Sequence, residues 1–190
     1  MGAYAMTGGA TGIGAELKRQ LLAAGHQVIS VDIKEGDVIA DLSTAEGRAA
    51  AVTGIRERAP DGLDGFIPCA GLPPVAKPLS LIAKVNYFAV VETVAGLKDL
   101  LASRRGSVLI VASNSAPMVR GDDGFVEACL AGDEAAACAH IETRDGHTAY
   151  AGSKRAITVW MRRNVVAYAQ AGVRMNAVAP GITQTPLSEQ

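Results

Sequence analysis

The chain has 190 residues, 49% hydrophobic and 19% charged, enough apolar material for one domain with a sizeable core, which excludes intrinsic disorder of the whole. Lys plus Arg number 18 and Asp plus Glu 19, so a formal charge of −1 gives no electrostatic reason to expect adhesion to nucleic acid or an anionic membrane. The 21 glycines outnumber the aromatic residues, a balance common where backbones must approach ligands or pack closely on helices.

The opening Met1–Met6 segment carries no basic run before an apolar stretch and no myristoylation signal, so no targeting segment is expected there. The first strand is predicted at Ala3 to Met6, followed by a glycine loop and a helix from Gly12 to Ala24. Further strands are expected at Gln27 to Val31, Val38 to Ala40, Gly65 to Cys69, Ser107 to Ala112 and Val173 to Val178. Helices are expected at Ser43 to Arg58, Leu79 to Leu101 and Thr148 to Ala171. Short apolar runs alternating with segments of helical period are the pattern of βαβ units. The expected fold is therefore α/β, a doubly wound parallel sheet of Rossmann type with helices on both faces, in one domain over 1–190. Strands that read as continuous apolar runs should be buried on both faces. The longest of these, such as Val108 to Ala112, is strand-sized and far short of the ~18 residues of a membrane helix.

Residues 116–147 interrupt the alternation. They carry Asp122, Asp123, Glu127, Asp133, Glu134 and Glu142 around an alanine-rich middle, which predicts one or two inserted helices. A solvated acidic surface, a cover over substrate and a role in steering oligomerisation all remain open readings. The three cysteines, Cys69, Cys129 and Cys138, are too few and too scattered for a disulfide framework or a CxxC metal site, so a reducing, cytoplasmic setting is expected.

Thr7-Gly8-Gly9-Ala10-Thr11-Gly12-Ile13-Gly14 follows the first strand and opens the first helix. Glycine there permits a tight turn and close approach to a pyrophosphate, while the helix N-terminus offers oriented N–H donors. Asp32, at the end of the second strand, is spaced to bond the ribose hydroxyls of a dinucleotide and would repel a 2′-phosphate. Lys34 argues the other way, but the loop itself holds no Arg or Lys, so NAD(H) is expected over NADP(H). Asp41 and Leu42 are placed to border an adenine; Asp41 reads equally as a helix cap beside the Ser43 and Glu46 capping pattern.

Tyr150 and Lys154 lie four apart in Tyr150-Ala151-Gly152-Ser153-Lys154, on one face of a helix. A tyrosine is a poor acid or base at neutral pH, and a neighbouring ammonium favours its phenolate, which makes the pair usable for proton transfer to a ketone or from an alcohol.

Taken together, these motifs resemble the short-chain dehydrogenase/reductase family. The resemblance runs through Thr7 to Gly14, Asp32, Asp41-Leu42, Cys69-Ala70-Gly71, Val85-Asn86, Ser113, Tyr150 to Lys154, and Pro180-Gly181-Ile182-Thr183-Gln184-Thr185. The segments AGHQVISVDI, VIADLSTAEGR, KVNYF and AYAGSK, with the insertion before Tyr150, are most similar to the family's bacterial 3α-hydroxysteroid dehydrogenase/carbonyl reductase branch. The resemblance implies a catalytic set of Asn86, Ser113, Tyr150 and Lys154. Ser113 would hydrogen-bond the substrate oxygen, with Ser115 the alternative for that role, and Tyr150 would transfer the proton. Lys154 would also bind the nicotinamide ribose, and Asn86 would position a water leading from Lys154 to solvent. Implied cofactor contacts are Thr7, Gly8, Gly12, Ile13, Gly14, Asp32, Asp41, Leu42, Cys69, Ala70, Gly71, Tyr150, Lys154, Pro180, Gly181, Thr183 and Thr185, with no metal.

Where many members carry Asn-Asn-Ala-Gly, this chain has Pro68-Cys69-Ala70-Gly71. The family continues past PGxxxT through a substrate loop, a helix and a last strand, which are expected to be missing here. The long step from Ser113 to Tyr150 implies a homodimer that does not use the usual helix pairing. The expected activity is interconversion of a secondary alcohol and a ketone, a 3α-hydroxysteroid/3-ketosteroid or other bulky carbonyl compound, in a site lined partly by Met118 and Leu187. A non-catalytic dinucleotide sensor or scaffold is the alternative, disfavoured by the intact Ser113, Tyr150 and Lys154. A zinc site from Cys138, His140 and His147 fails on ligand number and spacing.

Overall fold

A computed structural model of the chain describes residues 1–120 and 123–185. The first strand, β1 (Ala3–Thr7), sits at the centre of a six-stranded parallel sheet and leads into α1 (Gly12–Ala23). β2 (Gln27–Asp32) and the two-residue β3 (Val38–Ile39) lie on one side of it; β4 (Gly65–Pro68), β5 (Ser107–Val111) and β6 (Arg174–Val178) lie on the other, in the order β3-β2-β1-β4-β5-β6. The order reverses between β1 and β4, whose register pairs Thr7 with Pro68, so their carboxyl ends diverge into a crevice where such sheets bind ligands.

The two faces are covered unequally. On one, α1 lays Leu17 and Leu21 over a small cluster of Met6, Val28 and Ile67. On the other, α2 (Ala45–Arg58), α4 (Ala89–Gly96) and α8 (Gly146–Gln170) enclose the main core, with Phe66, Val108 and Ile110 from the sheet against Ile55, Val94 and Ile157. The expected double winding is therefore present. Burial on both faces holds for β4 but not for β5, where Val108 and Ile110 are buried while Ser107, Leu109 and Val111 are only half-buried. The packing of α1 centres on β2, short of β5.

The single helix expected from Leu79 to Leu101 is broken. It comprises α3 (Ser80–Ala83), a π-helical turn over Lys84–Phe88, α4, and after a bend at Leu97 a short α5 (Lys98–Ser103). The wide turn rotates Asn86 inward, where it is 1% exposed.

The insertion folds as a 3-10 turn (Ala116–Met118), α6 (Gly124–Ala131) and α7 (Glu134–Glu142). α6 packs on α8 and α7 on α3. Among the described residues, most of its acidic side chains are engaged at helix starts or with Arg48. Asp123, Asp133 and Asp145 accept from Phe125, Ala136 and Thr148 N–H and so cap α6, α7 and α8, while Glu142 accepts from Ser80 N–H and caps α3. Glu134 pairs with the buried Arg48 of α2 at 2.6 Å, beside an Arg48–Glu92 pair at 2.8 Å. Asp122 lies outside the described residues.

Candidate active site

One cavity of about 810 Å³ opens along the carboxyl ends of the strands and takes residues from the end of every strand. Its first wall is the glycine loop. Gly8 has φ +70°, and a side chain there would lie 2.6 Å from the Ala70 backbone; at Gly14 it would lie 2.0 Å from the Gly8 carbonyl oxygen. Only glycine lets α1 start this close to β1 and β4, which leaves the helix N-terminus facing the cavity. Gly12 and Ile13 line the same wall.

Asp32 ends β2 on the cavity. Its Oδ2 accepts from Ala10 N–H at 3.2 Å and its Oδ1 from Ile33 N–H at 2.8 Å, tying the glycine loop to the strand. Lys34 is exposed and takes no part in the wall. Asp41 and Leu42 follow as expected; the Ser43 hydroxyl, with the Ser43 N–H that donates to Asp41 at 2.9 Å, holds the Asp41 carboxylate below the usual carboxylate range. The helix cap is Thr44, which accepts from Gly47 N–H, so neither Asp41 nor Ser43 caps α2.

Cys69, Ala70 and Gly71 line the floor between β1 and β4. Burial pushes the Cys69 thiol up, with the Lys154 ammonium working in the opposite direction. Two expected residues stand behind this floor. Thr7 is 2% exposed and its Oγ1 accepts from Ala70 N–H, so it braces the floor. Asn86 Oδ1 accepts from Leu72 N–H, and its Nδ2 donates to Leu72 O and Ser153 Oγ. Both hydrogens of its amide are thus committed to protein. A side chain on Gly71 would reach within 3.5 Å of Asn86 Oδ1 and 3.9 Å of Lys154 Nζ, so the three meet at one point.

The far end of the cavity brings together Ser113, just beyond β5, with Tyr150 and Lys154 of α8. Lys154 Nζ donates to Val111 O at 2.8 Å and lies 5.7 Å from the Tyr150 ring centre. Burial lowers the Lys154 ammonium from its ordinary 10.5 to about 8, with Cys69 acting the other way. Ser113 Oγ accepts from both the N–H and the Oγ–H of Ser115. Pro180, Gly181, Thr183 and Thr185 close the cavity, and a side chain at Gly12 would meet Thr185 at 3.5 Å, so this segment crosses the glycine loop.

Residues not expected from the sequence also line the site: Pro73, Pro74, Val75, His147 and Ile182. The paired prolines after Gly71 were the available signal for a fixed loop there. Met118 is on the wall as expected and Leu187 lies outside the described residues. Among the described residues, no cluster of His, Cys, Asp and Glu could hold a metal, and no helix is long and apolar enough to cross a membrane.

A parallel sheet with a glycine-rich crevice and a Ser, Tyr and Lys at its end defines a dinucleotide-dependent oxidoreductase, and the chain belongs to the short-chain dehydrogenase family. The family model for short chain dehydrogenase matches residues 137–190. Over 192 residues the chain is 42% identical to the 3-alpha-hydroxysteroid dehydrogenase/carbonyl reductase of Comamonas testosteroni, covering 98% of this chain and 75% of that protein. It is 30% identical over 198 residues to the coniferyl-alcohol dehydrogenase of a Pseudomonas species, covering 96% of this chain and 73% of that protein. The crystal structure of the 3-alpha-hydroxysteroid dehydrogenase from Pseudomonas sp. B-0831 complexed with NADH matches with a TM-score of 0.94 and 46% identity, over 97% of this chain and 74% of that one.

Proposed function

We propose that the chain interconverts a secondary alcohol and a ketone using NAD(H), with a 3-hydroxysteroid/3-ketosteroid or a similarly bulky apolar carbonyl compound as substrate. The observation that carries this reading is the continuity of the cavity, which runs from the glycine loop and Asp32 to Ser113, Tyr150 and Lys154 without a break. Beyond those three residues the lining turns apolar, with Pro73, Pro74, Val75, Met118 and Ile182. An apolar lining at this end of the cavity suits a large hydrophobic substrate. The substrates named for the Comamonas and Pseudomonas B-0831 relatives support the same choice.

The residues present fit a dinucleotide: N–H donors at the α1 N-terminus for the pyrophosphate, a strand-end carboxylate for the ribose and a floor of Ala70 and Gly71. The carboxylate at Asp32, with Lys34 off the wall, favours NAD(H) over NADP(H), and the NADH in the B-0831 structure agrees. When bound, the nicotinamide supplies or accepts the hydride at the substrate carbon. Ser113 donates a hydrogen bond to the substrate oxygen, and Tyr150 delivers the proton to it in reduction or removes it in oxidation. Lys154 holds positive charge beside Tyr150 and would bind the ribose hydroxyls. Asn86 and Thr7 keep the floor in place.

The test is Tyr150→Phe. Turnover should fall by about 10²–10⁴-fold, the range for a positioned acid–base group, while NADH binding measured by fluorescence stays unchanged. A variant that turns over at near-normal rate would sink the assignment. The insertion also supports a homodimer built on surfaces other than the α8 face, because α6 occupies part of that face. Light scattering on the purified chain should give a dimer, and a monomer would contradict this.

A further inference from the structure

We infer that Ser115 is a positioning residue that fixes Ser113 as a hydrogen-bond donor; the inference rests on the reading above that Ser113 contacts the substrate oxygen. Both serines are on the cavity wall, so Ser115 is not displaced by Ser113 but bonded to it. Ser113 Oγ accepts from Ser115 N–H at 3.2 Å and from Ser115 Oγ–H at 3.0 Å. A hydroxyl oxygen has two lone pairs and one hydrogen. With both lone pairs taken, the hydrogen is all that Ser113 has left to offer.

Three consequences follow from that saturation. The Ser113 hydroxyl can only donate, which matches a carbonyl or alkoxide oxygen. The Tyr150 hydroxyl finds no acceptor on Ser113, so its proton stays available for the substrate. Two donors on one oxygen also polarise its O–H, which strengthens the bond it makes as negative charge grows on the substrate oxygen.

The Ser-x-Ser spacing is what makes this arrangement possible, since residue i+2 of the turn brings its N–H and its hydroxyl back to the same oxygen. The turn is held on both sides. Ala116 N–H donates to Ser113 O, Met118 N–H donates to Ser115 O, and Asn114 N–H donates to Pro180 O. Ser115 therefore presents its two donors from a fixed backbone.

The experiment is steady-state NADH oxidation with a 3-ketosteroid on the full chain, with NADH Kd measured by fluorescence beside it. Ser115→Ala should lower kcat about three- to tenfold, the effect of one neutral hydrogen bond with its polarising influence, and leave NADH Kd unchanged. Ser115→Thr, which keeps the hydroxyl, should return kcat to near the wild-type value, and Ser115→Cys, a weak donor of similar shape, should not. In a Ser113→Ala background, Ser115→Ala should add no further loss. Wild-type kcat in Ser115→Ala, an equal loss in both backgrounds, or a loss that follows NADH Kd would each overturn the inference. Wild-type kcat in Ser113→Ala, or no turnover by the unaltered chain, would overturn the parent reading and this one with it.

Discussion

Lys154 shows how the site works against the stability of the fold. Its ammonium is buried, donates to a main-chain carbonyl and has no carboxylate partner among the described residues. Desolvation lowers its pKa from 10.5 to about 8. The unfolded lysine therefore holds its proton over a window in which the folded one has released it. Below about pH 8 the folded state bears the full penalty, and stability should rise as pH goes from about 8 to 10.5. Lys154→Met should lose that slope and be more stable than the wild type at pH 7 by about 1–3 kcal/mol, the desolvation penalty less one hydrogen bond. It should also lose turnover. Urea titrations at pH 7 and pH 10 check this, and an identical pH slope in both proteins would contradict it.

At the scale of elements, the insertion is joined to the sheet domain through the packing of α6 on α8 and α7 on α3, and to α2 by an ion pair. Arg48 is 3% exposed and bridges Glu92 of α4 and Glu134 of α7, with its Nη1 buried and without a hydrogen-bond partner. Removing the guanidinium leaves two carboxylates that are 45% and 30% exposed and can rehydrate, so the loss is smaller than for a charge stranded in the core. Arg48→Ala should cost about 1–3 kcal/mol, read as a lower urea midpoint at unchanged m-value. An unchanged midpoint would mean the bridge is neutral in sum.

The same elements mark what was legible in the sequence. The six strands and the α1 loop were readable because short apolar runs, period-3.6 segments and glycine spacing are local properties. Tyr150 and Lys154 were readable because an i, i+4 pair fixes a shared face by itself. The π-turn at Lys84–Phe88 was not, since nothing in KVNYF distinguishes one inserted residue in a helix from an ordinary turn. The acidic insertion misled in a related way. Asp123 and Asp133 read as surface charge until two helix starts were placed behind them, and Glu134 until Arg48, far away in sequence, was brought beneath it. The Ser115 contact was legible only as an ambiguity between two neighbouring serines.

For the whole molecule, the sheet reversal at β1 and β4 decides where chemistry can occur, and the two halves of the cavity divide the work. The half beside Gly8, Asp32 and Asp41 offers backbone donors and carboxylates, and the half beside Ser113 and Tyr150 offers hydroxyls within an apolar mouth. The chain spans about three quarters of the length of the relatives it matches. The most direct test is to follow nicotinamide absorbance while the purified chain is offered a 3-ketosteroid with NADH and, separately, with NADPH. Turnover with NADH, at a kcat/KM well above that with NADPH, is the predicted result. Dinucleotide binding without turnover of the steroid, or a clear preference for NADPH, would contradict it.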